Sequence, residues 1–155
     1  MSLVSKFLVP AIGAALLWGM PVAGFAAEPH AHAGAAVQLK LDNGKKWQTD
    51  DALRRGMSEI RTAMAGSLAP IHKKKFTPKQ YEALADRVQT QIDYVVGNCK
   101  LPEDADAQLH VVLEQIIDGV AEMKAGRDKG AVKIVQALDM YGKYFNHTGW
   151  KPLPH

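Results

Sequence analysis

The segment NCKLPEDADAQLH, residues 98–110, contains the only cysteine of the chain and, eleven residues later, a histidine. Thiolate sulfur and imidazole nitrogen are soft to intermediate donors, and such donors suit copper better than magnesium or calcium. Because the chain has no second cysteine, Cys99 cannot close a disulfide within it. Three interpretations of Cys99 follow: an inert core thiol, a metal ligand, or a thiol that pairs with another chain or takes part in redox chemistry.

Three further residues complete the set of candidate metal ligands. His110 lies at the border of the apolar face of its predicted helix, so it is either a ligand or a structural histidine. Met57 and His147 are placed by helical counting near the same end of the molecule. The sequence has no inward Glu-x-x-His pairs of the kind that di-iron bundles use, so copper is the favoured metal.

Catalysis by a nucleophilic thiol is not predicted. No protease signature surrounds Cys99, and no third residue is evident that would orient the histidine. We therefore expect a protein that is not an enzyme.

The first 26 residues have the pattern of a secretory signal peptide. Lys6 supplies the positive charge, the apolar stretch FLVPAIGAALLWGM follows, and small residues at Gly24 and Ala26 are typical of a cleavage site. We expect cleavage after Ala26 and a periplasmic or secreted protein. No later stretch has the roughly eighteen consecutive apolar residues of a membrane span, so none is expected after cleavage.

Residues 27–48 are predicted to form a flexible leader, because they mix alanine and glycine with polar residues. The leader contains a turn signal, DNG at residues 42–44, and the stretch VQLKL that suggests a brief extended piece. It also contains His30 and His32, a short pair that could capture a metal loosely.

Two helices are predicted from the next part of the chain. The first is capped by Thr49 or Asp50 and is expected to end at Pro70. The second opens with Thr77 and Pro78, a cap followed by proline at the first helical position, and it extends to Cys99. Their predicted buried stripes are Leu53, Met57, Ile60, Met64 and Leu68 in the first, and Tyr81, Leu84, Ala85, Val88, Ile92, Val95 and Cys99 in the second.

A third helix is predicted to begin at Pro102 and to break at Gly126, and a fourth runs from about 128 to 146. Short connections make consecutive helices antiparallel neighbours, so the predicted fold is an all-α, up-down-up-down four-helix bundle over residues 49–150 with a tail at 151–155. The predicted buried stripes are Leu109, Leu113, Ile116, Val120 and Met123 in the third helix, and Ala131, Ile134, Val135, Leu138, Tyr141 and Phe145 in the fourth.

This topology brings the unusual residues to one end of the bundle, where Trp47, Tyr144 and Trp150 join the candidate ligands. The opposite end gathers lysines and arginines from the two remaining loops, and we call it the basic pole: residues 72–75, Lys79, Lys124, Arg127 and Lys129. This pole is either a solvated end or a docking patch for an acidic partner or a membrane surface. The formal net charge of +3 is too small to indicate nucleic-acid binding.

The segment NCKLPEDADAQLH resembles a pattern in small exported four-helix proteins, in which a cysteine closing one helix precedes a Leu-His pair early in the next. The resemblance extends from LDNGKKW to YGKYFNHTGW, and it points to Cys99 and His110. The predicted architecture is also similar to cytochrome b562 and cytochrome c′. The chain lacks Cys-x-x-Cys-His, which excludes covalent c-type haem.

Three functions remain open. The favoured one is periplasmic copper binding for storage, delivery or homeostasis, with Cys99, His110, Met57 and His147 as candidate ligands. The second is an electron carrier with non-covalent b-type haem and axial donors such as Met57 and His110. The third is a cofactor-free helical interaction module whose basic pole binds an acidic protein partner.

Overall fold

The computed structural model describes residues 38–154; the predicted signal peptide, His30 and His32 lie outside the described residues. The predicted all-α fold with four helices is confirmed. The elements are β1 (Trp47–Gln48), α1 (Asp51–His72), α2 (Pro78–Asn98), α3 (Glu103–Lys124), α4 (Lys129–Tyr144) and β2 (Phe145–Asn146).

Local sequence signals account for most of the helix ends. Thr77 and Gln80 form a reciprocal capping box in front of Pro78, so α2 begins where predicted. Gly126 has a φ of 71°, the left-handed conformation that glycine adopts without strain, and α3 ends two residues before it, at Lys124. The DNG turn is also present, because Asn43 and Gly44 have positive φ angles between the bridged residues Asp42 and Lys45.

Two predicted helix ends are wrong. Helix α1 continues past Pro70 to His72, because this proline removes only the hydrogen bond to the carbonyl of Gly66, which is exposed and can bind water instead. Helix α4 ends at Tyr144 rather than at 146, because Phe145 turns to extended backbone and pairs with Trp47 in a short parallel ladder.

The core is one cluster, and every residue of the four predicted stripes is buried in it except Cys99, which is half-buried and packs against it. Helices α3 and α4 approach each other at Gly119 and Gly130, where a side chain on Gly130 would come within 2.4 Å of the Gly119 carbonyl oxygen. Near the start of α1, Gly56 lies against Val95 and Gln91 near the end of α2.

The packed part of the chain extends further at both ends than residues 49–150. The backbone N–H of Lys40 donates to Gln108 on α3 at 2.7 Å, and the Trp47 indole donates to the Lys40 carbonyl at 2.7 Å. At the other end Leu153 is only 3% exposed, and the Arg61 guanidinium binds the carbonyl oxygen of Lys151. The chain after α4 therefore folds back along α1 and belongs to the domain.

None of the helices within residues 38–154 is both long and apolar enough to cross a lipid bilayer.

Candidate functional site

Asp50 joins the start of α1 to the end of α2. One carboxylate oxygen caps α1 by accepting from the Leu53 backbone N–H at 2.7 Å, and the other accepts from the Lys100 backbone N–H at 2.6 Å. The Cys99 thiol also hydrogen-bonds to this carboxylate. Burial favours the neutral carboxyl, but these donors and the Arg54 charge outweigh it, so the pKa of Asp50 lies below its usual value.

Cys99 is half-buried directly after the last residue of α2, and its backbone N–H still donates to Val95 at 2.8 Å. Burial, the negative charge of Asp50, the hydrogen bond to Asp50 and the charge of Asp106 together raise the pKa of the thiol to about 12. The thiol is therefore protonated at neutral pH. A protonated thiol is a poor nucleophile, and the same carboxylates that hold its proton also favour a cation in the proton's place.

His110 lies about two turns into α3 and its side chain is 65% exposed. Its Nδ1 atom is 2.9 Å from the backbone carbonyl of Asp106 and 3.4 Å from the carboxylate of the same residue. A carbonyl oxygen can only accept, so in the neutral ring Nδ1 carries the proton and Nε2 carries the lone pair. Histidines that bind metals commonly have their other ring nitrogen held in this way.

Cys99 and His110 line the same cleft, between the end of α2 and the first turns of α3. Its volume is about 380 Å³. The polar residues of its wall are Lys100 and Asp106, and its apolar residues are Val95, Val96, Leu101, Leu109 and Leu113. We call it the Cys99–His110 cleft. It brings together the two residues to which the family resemblance points.

The other two predicted ligands lie elsewhere. Met57 is 0% exposed and is packed in the core. His147 follows β2, with its Nδ1 atom 3.0 Å from the Tyr141 hydroxyl and its Nε2 atom 3.4 Å from the Ser58 hydroxyl. Among residues 38–154, histidine, cysteine and acidic side chains nowhere form a group of three that could hold a metal ion. The four predicted ligands are therefore divided between the cleft, the core and the segment after α4.

Sequence reasoning did not identify the side chains that contact Cys99 and His110. Asp106 precedes His110 by four residues in a helix, a spacing that places both on one face, so this contact was available from the sequence. Asp50 was expected only as a helix cap, and nothing local in the sequence indicates that it also reaches Cys99 and Lys100. The aromatic side chains predicted at this end, Trp47, Tyr144 and Trp150, are partly buried and pack against the core.

The basic pole is partly neutralised by acidic side chains of the same chain. Glu122 lies within ion-pair distance of Arg127 and Lys129, and Asp86 lies 3.0 Å from Lys124. Hydrogen bonding to Arg127 is the largest influence on Glu122 and holds its pKa below the usual value. Within the part of the chain that the structure describes, Lys73, Lys74, Lys75 and Lys79 have no such partner.

Comparison of the chain with protein-family models, with curated proteins and with solved structures finds no match. The resemblance carried by NCKLPEDADAQLH therefore stays a prediction.

Proposed function

We propose that the protein is an exported copper-binding protein without catalytic activity, and that it holds Cu(I) between the sulfur of Cys99 and Nε2 of His110. The observation that carries this proposal is the position of both side chains in the wall of one open cleft. The function would be storage, delivery or homeostasis of copper.

The donor set favours Cu(I) over other metals. Thiolate and imidazole are ligands that copper accepts, and Cu(I) is stable with two donors in a linear arrangement. Structural zinc sites need four protein ligands, and calcium needs six or more oxygens. A pair of one sulfur and one nitrogen fits neither of those ions.

The charges around the cleft support binding of a cation. The carboxylates of Asp50 and Asp106 both raise the pKa of the Cys99 thiol, which means that they stabilise positive charge at the sulfur. A bound Cu(I) ion would replace the thiol proton in that field. Because the proton must leave first, affinity for copper should increase with pH.

A competition titration with a chromogenic Cu(I) chelator, under anaerobic conditions, tests the proposal. We expect one tightly bound Cu(I) per chain, loss of this binding in Cys99→Ala, and a weakening of about tenfold or more in His110→Ala. His72→Ala, at the far end of α1, is the matched control and should bind like the unchanged protein. Equal stoichiometry and affinity in all four proteins would refute the proposal.

The same titration tests the two remaining ligand predictions. Met57→Leu and His147→Gln should leave Cu(I) affinity unchanged if copper is held in the Cys99–His110 cleft. A loss of affinity in either variant would instead favour the four-ligand site predicted from the sequence.

The haem alternative has less support. A porphyrin bridging Met57 and His110 would have to join a fully buried thioether to a largely exposed imidazole, and so would have to open the core. Addition of haemin with measurement of the Soret band decides the question. A haem spectrum that disappears in His110→Ala would replace the copper proposal with the haem one.

The interaction-module alternative is favoured by the lysines at positions 73, 74, 75 and 79, which lack ion-pair partners within the described residues. These charges could bind an acidic protein surface, and such binding would weaken as ionic strength rises. Reversal of the charges at Lys73, Lys74 and Lys75 should abolish the association, while copper binding should be unaffected.

A further inference from the structure

A second cleft lies beside the segment that folds back after α4. Its volume is about 520 Å³, within the range of small-molecule sites. It is lined by Lys46, Asp139, Gly142, Lys143, His147, Gly149, Trp150 and Pro152. We call it the Trp150 cleft. It shares no residue with the Cys99–His110 cleft.

The aromatic wall of this cleft is fixed in place. The Trp150 ring packs at 4.8 Å from the Tyr141 ring and at 5.0 Å from the His147 imidazole, measured between ring centroids. Its indole nitrogen lies where a side chain on Gly142 would be, only 2.5 Å from the position of a Cβ atom. The absence of a side chain at Gly142 therefore lets the indole lie directly against α4.

The cleft also has an excess of positive charge. Lys46 donates to the Gly142 carbonyl at 2.6 Å, which holds its ammonium group at the cleft while two of its three N–H donors remain. Lys143 is exposed on the next residue of α4. Asp139 is the negatively charged residue of the lining, and it has an interaction partner of its own.

His147 adds a neutral aromatic surface rather than a third charge. Its ring faces the Tyr141 and Ser58 hydroxyls and the Trp150 ring, and Arg54 is the nearby charged group. Burial is the main influence on this imidazole and, with the Arg54 charge, lowers its pKa below the usual value. The imidazole is therefore neutral at neutral pH.

We propose that the Trp150 cleft binds a small aromatic carboxylate, with the ring of the ligand against the Trp150 indole and its carboxylate on the ammonium groups of Lys46 and Lys143. Aromatic side chains favour planar ligands through stacking and edge contacts, and ammonium groups favour carboxylates through charge-assisted hydrogen bonds. This ligand class and this site are independent of the copper proposal.

Calorimetric titration of the full chain with 2-naphthoate tests the proposal against two matched probes. The alcohol 2-naphthylmethanol keeps the rings and lacks the charge, whereas cyclohexanecarboxylate keeps the charge and lacks the aromatic ring. We expect 2-naphthoate to bind at least about fivefold more tightly than either probe, and its addition to shift the NMR signal of the Trp150 indole N–H.

Lysine variants locate the charge. Lys46→Met and Lys143→Met keep the apolar stems of the lysines. Each should weaken the binding of 2-naphthoate by about threefold to fivefold and leave the binding of 2-naphthylmethanol unchanged. Lys45→Met is the matched control, because Lys45 is adjacent in sequence and does not line the cleft. It should bind 2-naphthoate as the unchanged protein does.

The proposal would be overturned if 2-naphthoate did not bind at millimolar concentration, or if it bound no more tightly than 2-naphthylmethanol. It would also be overturned if Lys45→Met weakened the binding of 2-naphthoate as much as Lys46→Met does. Tighter binding of phenyl phosphate than of 2-naphthoate would overturn the carboxylate assignment. These variants leave Cys99 and His110 intact. A negative result with 2-naphthoate therefore does not affect the copper proposal, and a negative copper titration does not affect the proposal for the Trp150 cleft.

Discussion

Replacement of Asp50 by alanine should lower the free energy of unfolding by about 2–3 kcal/mol. Loss of an N-cap costs about 1 kcal/mol, and here the cap is the bond from the Leu53 backbone N–H. Loss of the acceptor for the Lys100 backbone N–H adds about 1 kcal/mol, because a charged acceptor is removed. The weaker bond from the Cys99 thiol accounts for the remainder.

Asp50→Asn separates these contributions. Asparagine caps helices about as well as aspartate, so the bond from Leu53 should be kept. Its amide nitrogen cannot accept a hydrogen bond, so the bond from Lys100 should be lost. The expected loss of stability is about 1 kcal/mol, roughly half of that in Asp50→Ala, measured by urea denaturation.

The ionisation of Cys99 gives a second measurement that helix capping alone would not change. In the unchanged protein the folded-state pKa of about 12 lies above the ordinary thiol pKa of 9.0, so the folded chain holds this proton more tightly than the unfolded chain. The resulting stability is complete below pH 9 and is lost as pH rises towards 12. In Asp50→Ala the thiol should titrate at lower pH, which thiolate absorbance in the ultraviolet detects.

Asp118→Ala is the control, because Asp118 is exposed and forms a surface ion pair with Lys133. Its stability should stay within the error of the measurement. The reasoning is refuted if Asp50→Ala is no less stable than this control, or if the Cys99 thiol titrates at the same pH with and without Asp50.

Three further substitutions test the packing of the bundle. Gly130→Ala should cost about 2 kcal/mol or more in urea denaturation, because the new methyl group would meet the Gly119 carbonyl of the facing backbone at 2.4 Å. Gly142→Ala should displace the Trp150 indole, shift its fluorescence to longer wavelength and weaken binding of 2-naphthoate. His147→Gln should make the free energy of unfolding fall less steeply as the pH is lowered. Burial lowers the folded-state pKa of His147 below 6.5, so below that pH the unfolded chain binds this proton more readily and the folded state loses stability.

Gly66→Ala and Gly97→Ala are the controls for the two glycine variants. Both glycines lie in helices with nothing within 4 Å of an added methyl group, so alanine should be neutral or stabilising by up to about 1 kcal/mol. If Gly130→Ala is as stable as these controls, the close approach of α3 and α4 is wrong. An unchanged pH profile in His147→Gln would show that this imidazole is as accessible to protons as in the unfolded chain.

The helices could be predicted because their signals are local. The apolar residues recur with the period of a helix, and Thr77, Pro78 and Gly126 mark ends through the backbone conformations that they favour. The prediction failed at Pro70, where the loss of one hydrogen bond to an exposed carbonyl does not stop the helix, and at Phe145, where a distant strand competes for the backbone.

The sites were less predictable because their residues meet across long distances in the chain. His110 and its partner Asp106 are four residues apart, whereas the Lys100 backbone binds Asp50 across 50 positions and His147 lies beside Ser58 across 89. Helical counting gives the height of a residue along a bundle. It does not show which side chains from different helices meet, and the structure places Met57 in the core while Cys99 and His110 line a cleft.

The sequence by itself determined the four helices and the faces that they bury, since each depends on a period and on end signals contained within about twenty neighbouring residues. Only the tertiary structure decided that Asp50 holds the Cys99 proton, that Cys99 and His110 share a cleft, and that Trp150 lies over Gly142. Those contacts depend on how the helices rotate against one another and on the path of the chain after α4, which the core fixes as a whole.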